Sequence, residues 1–324
     1  MVIGIDGGGT YTRVVVADLK GNILGFAKSG GSHPGKNLSP SKNIKQAIIE
    51  ALKQANQSVH SVKCFVGGFA GLNDPSDKEW AMEYVRSSGI KGPIYCMNDA
   101  EVAQFGAFLG QPGIIAIAGT GSIILGRNET GAIIRNYDFH HTCQASARFL
   151  SYFAIYEMIT QKITYEDRAF INEVLKHWNV NSINELRLLA AKGFSPNRIE
   201  AIQHLSNMGR IVTEYAVTGN SIVYKACENA VKTLVTGIQL VSSMFASAVV
   251  PVSFGGGVVS HTLFQNLLKE RLSYDDNIVD FDFQTPILPP VLGAILYAYH
   301  ELEINTDNKI KEKLIRINKQ DNFS

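Results

Sequence analysis

Apolar positions along this chain fall first into short β-type runs broken by glycine and only later into helical spacing. Residues 2–5 are an apolar run followed at once by three glycines, and residues 12–18 (TRVVVAD) carry enough β-branched side chains for a second strand. The two predict a hairpin with a glycine-rich turn. Gly21 and Asn22 mark a second turn before a third strand at 23–27. Ser39 and Pro40 supply an N-cap residue and a proline at the first helical position, and Ile44, Ala47, Ile48, Ala51 and Leu52 then repeat at helical spacing. CFVGGFAG (64–71) predicts a buried strand running into a loop. A helix at 78–87, a strand PIYCMND (93–99) and a short helix at 100–109 follow.

At residue 113 the pattern restarts. GIIAIAGTGSIILGRN is an apolar strand, a Gly-Thr-Gly-Ser turn and a second apolar strand, so the arrangement at the N-terminus is repeated and an internal duplication is expected. A helical middle section includes an apolar-faced stretch over about 211–246. VVPVSFGGG (249–257) is a strand ending in three glycines, and 286–302 (PILPPVLGAILYAYHEL) is a helix. The segment 305–324 is polar and charged and reads as a frayed or solvated tail, with KIKEKLIRINK a solvated helix or fray and not a nucleic-acid arm, because acids interrupt it.

Composition narrows the function classes. With 324 residues, 45% of them hydrophobic, the chain has enough apolar material for two domains, which excludes a disordered tail protein or a small binding module. Thirty Lys and Arg against 29 Asp and Glu give a formal net charge of +1, with no basic footprint for nucleic acid or an anionic membrane. Small-molecule partners are expected. The four cysteines form no CxxC pair and read as reduced thiols. The N-terminus lacks the pattern of a secretory leader and no apolar stretch is long enough to span a bilayer, so a soluble cytoplasmic protein is expected.

Three glycine loops carry the candidate chemistry. Asp6, Gly7, Gly8, Gly9 and Thr10 form the first hairpin turn, where glycines permit positive φ or a close approach of backbone N–H groups to an anion. Gly119, Thr120, Gly121 and Ser122 form a second loop of this kind, and Gly255, Gly256 and Gly257 a third, where a nucleotide base has bare backbone to lie against. Taken singly, each is also readable as a mere turn. The P-loop GxxxxGK[ST] is absent, and the first loop opens a hairpin where a dinucleotide fold needs a βαβ unit.

In this order the loops resemble the actin-like ATPase clan, which includes sugar kinases and heat-shock chaperones. Within it the chain is most similar to N-acetylglucosamine kinases, archaeal hexokinases of broad specificity and BadF/BadG-type ATPases. IDGGGTYTRVVVADLKGNILG resembles the phosphate-1 hairpin, GGFAGLND the GxAGL segment, IAGTGSIILG the phosphate-2 loop, FGGGVVS the adenosine loop and PPVLGAIL the closing helix, over residue 2 to about 300. The resemblance implies an α/β fold of two actin-like (ribonuclease H-like) domains with mixed sheets flanked by helices and an ATP cleft between them. Residues 1–114, joined by the helix at about 290–304, make one domain, and 115–289 the other.

The same resemblance implies roles. Asp6 holds Mg2+ directly or through water, as suits a hard cation that keeps several waters, although a turn-capping Asp is the plainer reading. Gly8, Gly9, Thr10, Thr12, Gly119, Thr120, Gly121 and Ser122 surround the ATP phosphates, and Gly255, Gly256 and Gly257 the adenosine. Tyr11 stands where many relatives have Lys, and Arg13 is a partial substitute. Asp99 matches the catalytic base that takes the acceptor's proton; it also precedes a helical run and suits an N-cap, and the two readings are compatible. A homodimer is a family expectation.

The acceptor side departs from the pattern. Where these kinases carry a DEG-type acidic segment that grips the sugar, this chain reads YDFHHTCQASAR (137–148), with Cys143 in place of the Asp, Gln144 of the Glu and Ala145 of the Gly. His140, His141 and Cys143 lack a fourth partner and helical spacing for a metal, and no nucleophile context surrounds them. Two readings stay open, an ordinary surface loop and a rebuilt acceptor pocket of neutral donors that tolerates an anionic acceptor. His33, Asn37, Gly71, Asn98, His141, Cys143 and Gln144 are the candidate acceptor contacts. The function implied is an ATP-dependent kinase of a sugar or amino sugar. The competing readings are a nucleotide-binding regulator of the same fold and, against the cysteine spacing, an activator ATPase of radical dehydratases.

Overall fold

A computed structural model describes residues 1–216, 219–274, 277–306, 308–320 and 323. The chain divides into two compact units. One comprises Met1–Ile115, Leu125–Ile133 and Gln284–Ser324, and the other Ala116–Ile124 and Ile134–Phe283.

The first unit is built on a five-stranded sheet of β1 (Val2–Gly7), β2 (Tyr11–Ala17), β3 (Ile23–Gly30), β4 (Cys64–Phe69) and β5 (Ile94–Asn98), in the order β3-β2-β1-β4-β5. β1 pairs antiparallel with β2, and β2 with β3; β4 lies parallel to β1, and β5 to β4. β1 and β4 are buried along their whole length, as an apolar run with no polar alternation demands when both faces are covered. On one face a cluster including Ile3, Ile5, Phe65 and Phe69 packs with α1 (Pro40–Gln54) and α2 (Lys78–Arg86). On the other, Val2, Val15 and Val66 pack with α3 (Asp99–Ala107) and α10 (Pro290–Glu301). Gly106 and Gly293 let those two helices touch, since a Cβ on Gly293 would lie 2.1 Å from the Val102 carbonyl oxygen. Register matters most for function: Gly7 pairs with Phe69 and Phe69 with Asn98, so three parallel strands end at one edge.

The second sheet holds β6 (Gly113–Ala118), β7 (Ser122–Arg127), β8 (Ile133–Arg135), β9 (Val249–Gly255) and β10 (Asp280–Gln284), ordered β8-β7-β6-β9-β10. That is the order of the first sheet, strand for strand, so the repeat read in the sequence extends to topology. Its helices are α4 (Ala147–Thr160), α5 (Arg168–His177), α6 (Ile183–Ala191), α7 (Arg198–Tyr215), α8 (Ser221–Ser242) and α9 (Thr262–Leu272). Among the described residues no helix is long and apolar enough to cross a membrane.

Three sequence expectations are refined or corrected. Ser39 is the N-cap residue of α1 and Pro40 opens the helix, but the Ser39 side chain makes no capping hydrogen bond. The stretch at 211–246 is two helices: α7 ends at Tyr215, and Asn220 caps α8 by accepting from the Val223 N–H at 3.0 Å. Among the described residues the tail is a packed helix, since α11 (Asn308–Gln320) has Leu314 fully buried in the core of the first unit, and Phe323 lies edge-on to Phe26 with centroids 5.1 Å apart. Ile310, Leu314 and Ile317 make a helical stripe that the surrounding lysines obscure.

Candidate active site

The edge where β1, β4 and β5 end gathers two carboxylates. β-Register places Asp6 opposite Arg13, whose Nη1 donates to Asp6 Oδ2 at 3.2 Å. Burial pushes the Asp6 carboxyl up, and the Arg13 guanidinium only partly offsets this. Arg13 Nε is buried and has no hydrogen-bond partner among the described residues.

Asp99 opens α3. The helix starts there because Asn98 and Glu101 form a capping box: Asn98 Oδ1 accepts from the Ala100 N–H at 2.9 Å, and Glu101 Oε1 from the Asn98 N–H at 3.3 Å. Asn98 Nδ2 donates to the Leu72 carbonyl at 3.0 Å and to Asn73 Oδ1 at 3.3 Å, which ties the GLND loop to the strand end. Asn98, expected among the acceptor contacts, is therefore committed to the cap and the loop. Next to it, the Asp99 carboxyl is pushed up to about 7, first by burial and then by the charge of Asp6, while the Ala100 N–H and Lys36 pull the other way. A carboxylate balanced there near neutrality has the proton affinity a general base requires.

The first glycine turn is stapled to the loop after β3. The Gly8 N–H donates to the Tyr11 carbonyl at 2.9 Å, and the Ser32 N–H to Gly8 O at 3.1 Å. Asn37 Nδ2 donates to Gly9 O at 3.1 Å and to His33 O at 3.2 Å, so Asn37 braces the turn. Gly71, with φ at +90°, carries the ring of His33: a Cβ on Gly71 would stand 2.9 Å from His33 Nε2. Thr10 is exposed on the turn. Thr12, expected beside the phosphates, is fully buried and its hydroxyl donates to the Gly30 carbonyl at 2.8 Å, so that donor is already in use.

In the second unit two glycine loops lie against each other. The Val258 N–H donates to Ala118 O at 3.0 Å, and a Cβ on Gly119 would sit 3.7 Å from the Gly257 nitrogen. Gly256 has φ at +91° directly over the Ala118 carbonyl. A Cβ on Gly121 or Gly257 would meet nothing within 4 Å, so backbone is open to a ligand at both. Gly255 ends β9. Thr120 is exposed, but the Gly119 N–H is bonded to Gly121 O at 2.8 Å and the Ser122 hydroxyl donates to Cys143 O at 2.6 Å, which spends two of the expected phosphate donors.

That last bond fastens the 137–148 segment. Gln144 N–H donates to Thr233 Oγ1 of α8 at 3.2 Å, and Cys143 Sγ lies 3.9 Å from the same oxygen. Cys143 is buried and its thiol is pushed up by burial, whereas the Gln144 residue is exposed. His141 packs over Gly237, its carbonyl accepts from Asn136 Nδ2 at 2.8 Å, and burial lowers its ring. Thr233 and Gly237 sit inside an apolar helical repeat and gave no signal in the sequence.

Among the described residues no three His, Cys, Asp or Glu side chains form a metal cluster. A cation that needs an all-protein cage does not fit. Mg2+ does, since it takes one or two carboxylates and completes its shell with phosphate and water, and Asp6 is the carboxylate in place.

Residues 3–298 match the model of the BadF/BadG/BcrA/BcrD ATPase family. An N-acetylmuramic acid/N-acetylglucosamine kinase of Clostridium acetobutylicum is 36% identical over 144 residues, which is 43% of this chain and 46% of that one, so the match spans less than half of the relative. An N-acetyl-D-glucosamine kinase of Dictyostelium discoideum is 23% identical over 91% of this chain and 97% of its own. The crystal structure of a putative N-acetylglucosamine kinase from Chromobacterium violaceum superposes with a TM-score of 0.66 at 19% identity, covering 91% of this chain and 97% of that one, and shows the same actin-like fold. The chain belongs to the BadF/BadG/BcrA/BcrD ATPase family.

Proposed function

We propose that this chain is an ATP-dependent kinase that phosphorylates a hydroxyl of an amino sugar, with Asp99 as the base. The observation that carries the reading is the position of Asp99: it stands at the end of a parallel strand, on a capped helix, with its carboxyl near 7 because of burial and the neighbouring Asp6. The acceptor oxygen forms a bond to the γ-phosphorus as the bond to the β-phosphate oxygen breaks; ADP leaves, and the acceptor's proton passes to Asp99 and then to solvent. Bound Mg2+, with Asp6 as its protein carboxylate, would supply neutralisation of phosphate charge. The open backbone at Gly121 and Gly257 suits close approach of a nucleotide. On this reading residues 1–114 with 290–304 carry the base, residues 115–289 carry the second and third glycine loops, and the chain works in the cytoplasm as a homodimer. The names of the clostridial and Dictyostelium relatives support an amino sugar as acceptor.

The test is phosphorus NMR of the product after incubation with MgATP and a panel of hexoses, hexosamines, N-acetylhexosamines and N-acetylmuramate. A new sugar phosphate resonance is expected. Absence of any sugar phosphate from protein that binds ATP overturns the assignment.

A further inference from the structure

Three charged side chains stand in one row across the first sheet. Asp6 of β1 is opposite Arg13 of β2, and Arg13 is opposite Lys28 of β3. Residues directly opposite in antiparallel strands share a face, and Tyr11, two places before Arg13, lies on the same one. The register therefore sets two cations side by side, an arrangement that destabilises a sheet unless something answers the charge. Asp6 answers one of them, its Oδ2 accepting from Arg13 Nη1 at 3.2 Å. The other has an aromatic partner instead. Lys28 Nζ stands 4.2 Å from the centroid of the Tyr11 ring, and the Arg13 guanidinium 5.9 Å from the same ring. Among the described residues no carboxylate pairs with Lys28.

The row thus holds two cations against one carboxylate, and burial favours the uncharged form of that carboxyl. The surplus lies beside the first glycine turn, because Tyr11 is the residue whose carbonyl closes it by accepting from the Gly8 N–H at 2.9 Å. Lys28 is exposed and Tyr11 is 47% exposed, so a ligand on the turn can reach the ammonium. A cation over an exposed ring is weakly held, and a charge-assisted hydrogen bond to a phosphate oxygen is the stronger contact. Lys28 can exchange the one for the other, whereas Arg13 is already engaged by Asp6.

We infer that Lys28, steadied on the Tyr11 ring, binds the phosphates of the nucleotide at the first glycine turn. This rests on the nucleotide part of the kinase reading above. It adds to it a phosphate-binding side chain from β3, an edge strand that carries none of the glycine loops.

Isothermal titration calorimetry with MgATP tests the assignment. Lys28→Met keeps the length of the side chain without its charge and should raise the Kd for MgATP by about tenfold, the loss of one charge-assisted contact. The gap between variant and wild type should narrow as KCl is added, since salt screens an exposed charge. The double variant Lys28→Met, Tyr11→Lys returns an ammonium from the neighbouring strand and should recover most of the lost affinity. Both positions are on the surface, and thermal melts check that each variant keeps its fold. A Kd unchanged in Lys28→Met, a loss that salt leaves as it is, or a loss that the second ammonium does not repair overturns the inference, while formation of a sugar phosphate by wild type leaves the kinase reading standing. No binding of MgATP by wild type overturns both.

Discussion

After burial, the charge of Asp6 is the largest influence that holds the Asp99 carboxyl up at about 7. Asp6 is itself raised by burial and only partly relieved by Arg13 at 3.2 Å. Two acids at one edge of a sheet thus resist sharing two negative charges. Carbon NMR titration of the nucleotide-free protein should find Asp99 near 7 in wild type, and Asp6→Asn should move it to lower pH. An Asp99 that titrates with ordinary carboxylates, or ignores Asp6→Asn, contradicts this coupling.

Stability follows from the same shift. A carboxyl raised on folding favours the folded state fully below its unfolded value near 4 and loses that contribution as pH rises through about 7. Asp99→Asn removes the charged form, so its melting temperature should exceed that of wild type by a few degrees at pH 8. The difference should shrink towards pH 5. Thermal melts across that range decide the sign.

The glycine loops separate fold from ligand. Gly256→Ala forces a side chain into positive φ and against the Ala118 carbonyl, 2.5 Å away, and should cost about 1–3 kcal/mol of stability. Gly121→Ala and Gly257→Ala meet nothing, so their stability should change by no more than about 0.5 kcal/mol. Their KM for ATP should nonetheless rise if a nucleotide lies on that backbone, which steady-state kinetics beside denaturant melts will show.

Leu314→Ala should destabilise the protein by about 2–5 kcal/mol, because Leu314 is fully buried in the core cluster of the first unit. A surface tail would show almost no change.

β1 and β4 were legible because the apolar runs at residues 2–5 and 64–66 lead straight into glycines, the mark of a buried strand entering a turn or loop. β8 was not, since three residues carry no period, and in β10 the alternation DFDFQ is too short and too polar to stand out. α11 was read as a solvated helix or fray because its lysines hide the apolar stripe, and the buried contact of Leu314 was not legible. The strand ends beside which Asp6 and Asp99 stand were legible from the apolar runs and glycines, whereas the roles expected of the two acids rest on the family resemblance. The hydrogen bonds of Thr12 and Asn98 were not legible, because a hydroxyl or amide next to a motif does not reveal whether the fold has already taken its partners. Lys36 and Thr233 were passed over for the opposite reason, as their partners lie far from any motif or on another element.

The most direct test measures sugar-stimulated ADP release with saturating MgATP in wild type and Asp99→Asn. The account predicts that an amino sugar stimulates release in wild type and that Asp99→Asn lowers kcat by about 10²–10⁴-fold with the fold intact. ADP release that no sugar stimulates, or that Asp99→Asn leaves unchanged, would contradict it.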